Sequence, residues 1–366
     1  MNRKLREVWV LQNAGVRWES VILRENSHSL KVSAYITALG LAAATLLAGC
    51  QRGSEGGCRP DPAAAAPAAP LALHHLERSF FQIKNPAQGL QFVRANPVFA
   101  RYYLQAGQAP PDTLAQALTQ LATNPDLQKL SQQTAAAFAD SAGLRHDMAA
   151  MLGRVTYYFP DFRAPAVAAT YVSGLLGKDI FVNDSLLVVS LDWFAGPQAS
   201  YRPNLPGYML RRYRPANVLP TLALAVSSKY NRHQLTATSM LDQMVDQGKR
   251  LYFAGQVLPC TPDSLLLGYS GKELRSVQFN EARIWGHFLE NNLLFNTTPF
   301  IIQKYVGERP NVPEIDRTCP GRVGQWVGLQ LVRKYMAEHT EVTLAQLMAD
   351  KNAQHILNDS HYRPKK

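Results

Sequence analysis

The sequence lacks the short signatures that announce the common chemistries. It contains no CxxC pair, no phosphate loop and no evident cleft of paired carboxylates, and none of its nine histidines begins HExxH. A catalytic zinc needs about three protein ligands, two of them four residues apart on one helix face, with a carboxylate as base. GRVGQWVG (321–328) has glycines but neither the preceding strand nor the GxGxxG order of a dinucleotide turn. Cysteine is scarce, with only Cys50, Cys58, Cys260 and Cys319, and no methionine occurs between Met1 and Met148. Beyond one early apolar stretch, no hydrophobic run reaches membrane-spanning length, which argues against a second buried span.

What is present begins with that stretch. Lys31 precedes Val32–Cys50, VSAYITALGLAAATLLAGC, and the run ends in Leu47-Ala48-Gly49-Cys50. The positive flank and short apolar core are those of a secretory signal. Its end resembles the lipobox of bacterial lipoproteins, which implies cleavage between Gly49 and Cys50 and acylation of Cys50. One acyl chain holds a protein to a bilayer only marginally, and two suffice for stable attachment. Met1 to Leu30 is long for a signal n-region, so the expected start is a later codon such as Val21, Leu23 or Leu30. Gln51–Pro70 is dominated by glycine, proline and alanine, a composition that buries no core and acts as a linker. The expected organisation is therefore a leader over residues 1–49, a lipidated linker over 50–70, and one domain over 71–366.

The chain carries a formal charge of +11; six of its 38 basic and three of its 27 acidic residues precede Cys50, which leaves an excess of eight positive charges. Behind a lipobox, such a surface suits an anionic membrane face, an acidic partner protein or simple solubility rather than nucleic acid. Cys260 and Cys319 both sit beside turn residues and could pair in an oxidising compartment, whereas Cys58, in the linker, reads as incidental.

The first half of the domain reads as short helices. Pro97 opens PVFARYYL, Asp112 can cap TLAQALTQLA, Asn124-Pro125 starts the next, and Gly143 separates it from a helix that stops at Pro160. Three β-rich runs follow, Ala166–Val172, Lys178–Val182 and Leu186–Ser190, with Asn183-Asp184 as a hairpin turn. They predict a small antiparallel sheet. The loop after it interleaves Arg202, Arg211, Arg212 and Arg214 with Tyr201, Tyr208 and Tyr213, and stacking of arginine on tyrosine would stiffen it. Helices are expected again over Pro215–Tyr230, from Thr236 or Thr238, and from the Ser270/Glu273 capping box through Leu289. Asn296–Pro320 reads as a long loop. Gly324 and Gly328, four apart, leave a bare face on the helix from Val323 to Met336, and a Thr343/Gln346 capping box begins a last short pair of helices.

Several of these stretches together resemble a known family. YYFP (157–160), LDWFAG (191–196) with YRP (201–203), LDQMVDQGKRLYF (241–253), IWGHFLENNLLF (284–295) and GRVGQWVGLQLVRKYM (321–336) follow one another as in the GldB-type gliding-motility lipoproteins. The similarity runs from about Leu76 to Pro364. It implies an outer-membrane lipoprotein facing the periplasm, associated with the gliding and type IX secretion apparatus. That family is more distantly similar to zinc metallopeptidases, whose later Glu-Gly segment corresponds here to Asp246-Gln247-Gly248-Lys249. The helix that would hold the metal ligands, PANVLPTLALAVSSKY (215–230), contains no His and no Glu.

The combined expectation is an α+β domain, mainly helical, with a small antiparallel sheet and a degenerate metallopeptidase-like scaffold. Its role would be non-enzymatic, a scaffold or stabilising subunit among gliding and secretion envelope proteins. No cofactor, metal, nucleic acid or small-molecule substrate is expected. Asp192, Trp193, Arg211 and Arg212 are the candidate partner-binding residues. The enzymatic alternative is a diverged zinc hydrolase using His287, Glu290 and Glu281. A further alternative is a module binding envelope glycan or lipid through the arginine-tyrosine loop. LGYSGK (267–272) approaches GxSxG, but Ser270 is better used as a helix cap.

Overall fold

The computed structural model describes residues 68–231 and 239–364. The expected leader, the Gly49–Cys50 cleavage site, most of the linker with Cys58, and Thr236 and Thr238 lie outside these residues.

Strand β1 (Leu73–His75) runs directly into α1 (Leu76–Phe80), followed by α2 (Pro86–Ala95), α3 (Pro97–Tyr102), α4 (Pro111–Ala122), α5 (Pro125–Ala137) and α6 (Ser141–Tyr158). Helices α2 to α5 each begin on proline, whose fixed φ suits the first turn and whose missing N–H is not needed there. The Asn85 and Asn124 side chains accept the free amides at the starts of α2 and α5. Asp140 does the same for α6 through Gly143, which therefore sits within the first turn instead of ahead of it. Asp112 lies inside the first turn of α4, and Pro110 takes the cap position.

Next come β2 (Val167–Tyr171), β3 (Ile180–Val182) and β4 (Leu186–Ser190), and the sheet order is β1-β2-β4-β3. Only the β3–β4 hairpin is antiparallel, with the Asn183 side chain accepting from the Ser185 and Leu186 amides in its turn. β2 runs parallel to both β1 and β4, so the expected antiparallel sheet is corrected to a mixed one. Two physical reasons account for the difference. Leu-His-His is too short to show a pattern, and the unbroken apolar run of β4, buried at every position, marks a strand covered on both faces. The mainly helical α+β class stands.

The sheet divides two cores. Ala168, Ile180, Leu187 and Val189 face the larger one, shared with α6 and the later helices. Ala169, Tyr171, Leu186 and Val188 face a smaller one closed by residues of α1 to α4, where Tyr171 meets Phe80 and Phe99 at ring separations of 5.1 and 5.0 Å.

After a 3-10 turn at Leu191–Phe194 come α7 (Gly207–Leu210), a second such turn at Pro215–Asn217, α8 (Val218–Ser227), α9 (Met240–Val257) and α10 (Asp263–Leu267). The chain closes with α11 (Gly271–Phe279), α12 (Glu281–Glu290), α13 (Pro299–Tyr305), α14 (Val323–Glu338), α15 (Leu344–Ala349) and α16 (Ala353–Asp359). The helix expected from Ser270 to Leu289 is two helices, because Asn280 turns its side chain back onto the Ser276 carbonyl and ends α11. The loop expected over Asn296–Pro320 contains α13, again begun on proline.

The long helices α9 and α14 cross with their backbones nearly touching. A Cβ placed on Gly328 would fall onto the Met244 carbonyl, and one on Gly248 would fall onto the Gly328 carbonyl. Gly324 is packed almost as closely, against Val306, the Tyr305 carbonyl and Met244. The bare face read from Gly324 and Gly328 is thus the surface on which α9 lies.

Candidate functional site

Two places could hold function, namely the α8–α9 helix pair, where the expected metallopeptidase resemblance would put a metal, and the arginine-rich loop after the sheet. In the first, α8 packs on α9 through Val218, Leu222, Ala223 and Val226, all in the main core. Its polar residues serve its own backbone: Thr221 donates to the Asn217 carbonyl at 2.8 Å, and Ser227 donates to the Leu224 carbonyl at 2.7 Å. Neither is a strong metal donor.

The facing segment of α9 is rich in polar groups, and each is committed to a neighbour. Asn231 donates its side-chain amide to the Asp246 carboxylate at 2.8 Å and carbonyl at 3.0 Å. Gly248 meets α14. Lys249, 5% exposed, donates from Nζ to the Asp350 carbonyl at 2.6 Å and the Met348 carbonyl at 3.3 Å, so it caps the C-terminal end of α15. Burial holds its ammonium below the usual lysine range, against the opposing pull of the Asp246 and Asp350 carboxylates. Arg250 donates to the Leu224 carbonyl at 3.2 Å near the end of α8, and burial lowers its pKa as well. A zinc ion fits neither helix, because the donors required are absent from α8 and the one carboxylate of the segment is bound to Asn231.

The second place draws together Arg211 and Arg212 with residues the sequence reading did not single out. Arg211 donates to Glu273 at 2.7 Å, the same glutamate that closes the capping box with Ser270. Arg212 donates to Glu308 at 2.8 Å, and Arg322 approaches the same carboxylate at 3.7 Å. Arg322 also donates to the Leu267 carbonyl and lies over the Tyr269 ring at 5.4 Å, while the Tyr269 hydroxyl donates to the Gly321 carbonyl. The cluster ties the loop after the sheet to α11 and to the segment before α14. Its charges are partly met inside the chain, although the Arg212 Nε and Glu308 Oε2 are buried without a partner. Arg322 lies at a positive φ of 60° beside Gly321, an irregular position that periodicity alone does not mark.

Asp192 is 1% exposed and serves the interior. Its carboxylate accepts from the Leu175 amide at 2.6 Å, the Ser173 amide at 3.0 Å and the Ser173 hydroxyl, pinning the loop after β2. Desolvation pushes its pKa up, and those hydrogen bonds oppose the rise. Trp193 packs 5.5 Å from the Tyr213 ring, with its indole N–H buried and unpartnered. The structure thus brings Arg211 and Arg212 into one cluster and places Asp192 apart from it, inside the core.

The alternative metal residues do not converge. His287 Nε2 lies 2.8 Å from the Tyr305 hydroxyl, Glu281 accepts from the Tyr362 hydroxyl at 2.6 Å, and Glu290 is exposed. Among the described residues, no three His, Cys, Asp or Glu side chains are grouped to hold a metal. Ser270 is a helix cap, its Oγ shared between the Glu273 amide and carboxylate. The expected Cys260–Cys319 pair is corrected. Cys319 is a free thiol buried in the core, whereas Cys260 is exposed and bonded in a disulfide elsewhere. Burial raises the Cys319 thiol to about 12.

Comparison with known proteins gives first the class, that of membrane-anchored envelope lipoproteins. The particular family is described as gliding motility protein GldB; its model matches residues 58–364, and the chain belongs to that family. No curated protein and no solved structure matches it. No described helix is long and apolar enough to cross a membrane.

Proposed function

We propose that this chain is a non-enzymatic outer-membrane lipoprotein, held by acylated Cys50 and facing the periplasm, that acts as a scaffold or stabilising subunit of the gliding and type IX secretion machinery. Its direct partners are other envelope proteins of that machinery. The observation that carries the reading is the state of α9 between Asp246 and Arg250. Where a metallopeptidase would need a free carboxylate, Asp246, Lys249 and Arg250 are each bonded to neighbouring elements. The membrane family and the lipobox-like Leu47-Ala48-Gly49-Cys50 support the location.

Deletion of the gene should abolish surface spreading, and complementation with an Asp246→Asn variant should restore it. A peptidase whose carboxylate took part in turnover would lose function in that variant while remaining folded. Stoichiometric zinc in purified protein, with peptide cleavage that a chelator stops, would overturn the scaffold reading.

A further inference from the structure

Helix α11 buries Val277 against the main core and turns Lys272, Arg275 and Phe279 to solvent. These three residues are spaced three and then four apart, so they form one row along the outer face of the helix. Phe279, at the end of the row, is 90% exposed, the most open large apolar side chain among the described residues. A single exposed ring needs no explanation by itself. An aromatic tip closing a row of cations is different, because that pairing is the one by which amphipathic surfaces lie on a lipid interface.

The neighbouring elements add positive charge here and cancel little of it. Ser276, at the flank of the row, donates to the Thr318 carbonyl at 3.1 Å, which brings the exposed Arg317 beside α11. Among the described residues, the side chains of Lys272, Arg275 and Arg317 have no hydrogen-bond or ion-pair partner. The carboxylates nearby are already engaged. Glu273, the one acid on α11, accepts from Arg211 at 2.7 Å and from the Ser270 hydroxyl at 2.9 Å. Asp316 accepts from Arg283 at 2.9 Å and from the Thr318 amide at 2.8 Å.

The geometry points to the outer face of α11 as the surface that docks on an anionic bilayer, with Phe279 entering the headgroup layer and Lys272, Arg275 and Arg317 meeting lipid phosphates. The bilayer is the one that holds the anchor, so the inference rests on the reading of the chain as a membrane-anchored lipoprotein. Two features favour a bilayer over an acidic protein. The face is a convex helix row with a ring standing out from it; a folded partner would have to supply a pocket for that ring, whereas a fluid headgroup layer opens around it. A tethered domain also always has the leaflet within reach, so an attraction too weak to hold a free protein is enough. Docking would set one orientation of the domain, with the Arg211–Glu273 pair at the membrane edge.

The full chain carrying Cys50→Ala, which removes the lipid, would be sedimented with vesicles of phosphatidylcholine, with or without one-third phosphatidylglycerol. Binding to the anionic vesicles should be about tenfold tighter and should fade with added salt. Lys272→Glu with Arg275→Glu should weaken it about tenfold and Phe279→Ala about threefold. Lys84→Glu with Lys129→Glu, the same change of net charge at two exposed sites elsewhere, should weaken it no more than about twofold. In cells, a photoreactive phenylalanine analogue at position 279 of the lipidated protein should crosslink to phospholipid. Equal binding to both kinds of vesicle, or equal weakening by the two charge-reversed pairs, would overturn the inference. So would a crosslink to protein alone, which would give this face to a protein partner. In each of those cases wild-type protein recovered with the membrane leaves the anchor standing. Wild-type protein recovered free of membrane, with vesicle binding intact, would overturn the anchor and not the face.

Discussion

The α9–α14 crossing and the arginine cluster both hold distant segments together, and they do so by opposite means. At the crossing, Gly248, Gly324 and Gly328 remove side chains so that two backbones meet, and nothing between them can give. In the cluster, Arg211, Arg212 and Arg322 reach across from a loop and a helix start to Glu273 and Glu308, through partly buried side chains on flexible stems. Close backbone contact is intolerant of any added atom, whereas a partly solvated ion pair contributes modestly and is screened by salt. Rigidity in this domain therefore sits in the crossing, and adjustable contact sits in the cluster.

The largest effect expected is at the crossing. Gly328→Ala should destabilise the domain by about 3 kcal/mol, seen as a lower denaturant midpoint; unchanged stability would mean the helices can slide apart. Next is Lys249→Met, which leaves the Met348 and Asp350 carbonyls without their buried donor and should cost about 2 kcal/mol. Amide exchange should locate the first loosening in α15. Smaller again is the ion pair. A double-mutant cycle on Arg212→Ala and Glu308→Ala should give a coupling of about 1 kcal/mol that shrinks with added salt. A coupling as large as the Lys249 effect would mean that the cluster is as rigid as the crossing.

The smallest effects are protonation effects of opposite sign. Burial lowers the pKa of His287, so the unfolded chain takes up the proton first. The stabilising contribution of its neutral form is complete above the unfolded value and is lost as pH falls toward the folded one. Hydrogen bonding to Asp350 raises His355, whose contribution is complete below the unfolded value and fades as pH climbs through the folded one. NMR titration should therefore place the two midpoints on opposite sides of an ordinary histidine.

Much of this architecture is legible in the sequence. Proline starts, the capping boxes at Ser270 and Thr343 and the glycine spacing of α14 are local rules, and the chain obeys them. Strand direction was not legible, because it depends on which neighbour a strand meets; β1, three residues long, decides half of it. The break at Asn280 was hidden for a related reason, since a side chain that ends one helix looks like any polar residue on its surface. At the candidate site the empty α8 could be read directly. The partners Glu308, Lys249 and Arg250 could not, because their roles arise from elements far apart in the chain. Arg211 and Arg212 stand out in the sequence by their charge, and only the fold shows which carboxylates share it.

The lone thiol of Cys319 has a practical consequence. Burial keeps it protonated and out of reach of reagents, so it is a reporter sealed inside the segment before α14. The rate at which a maleimide reaches it clocks how often that segment lifts, and a partner gripping the neighbouring arginines should slow the clock without touching the sulfur.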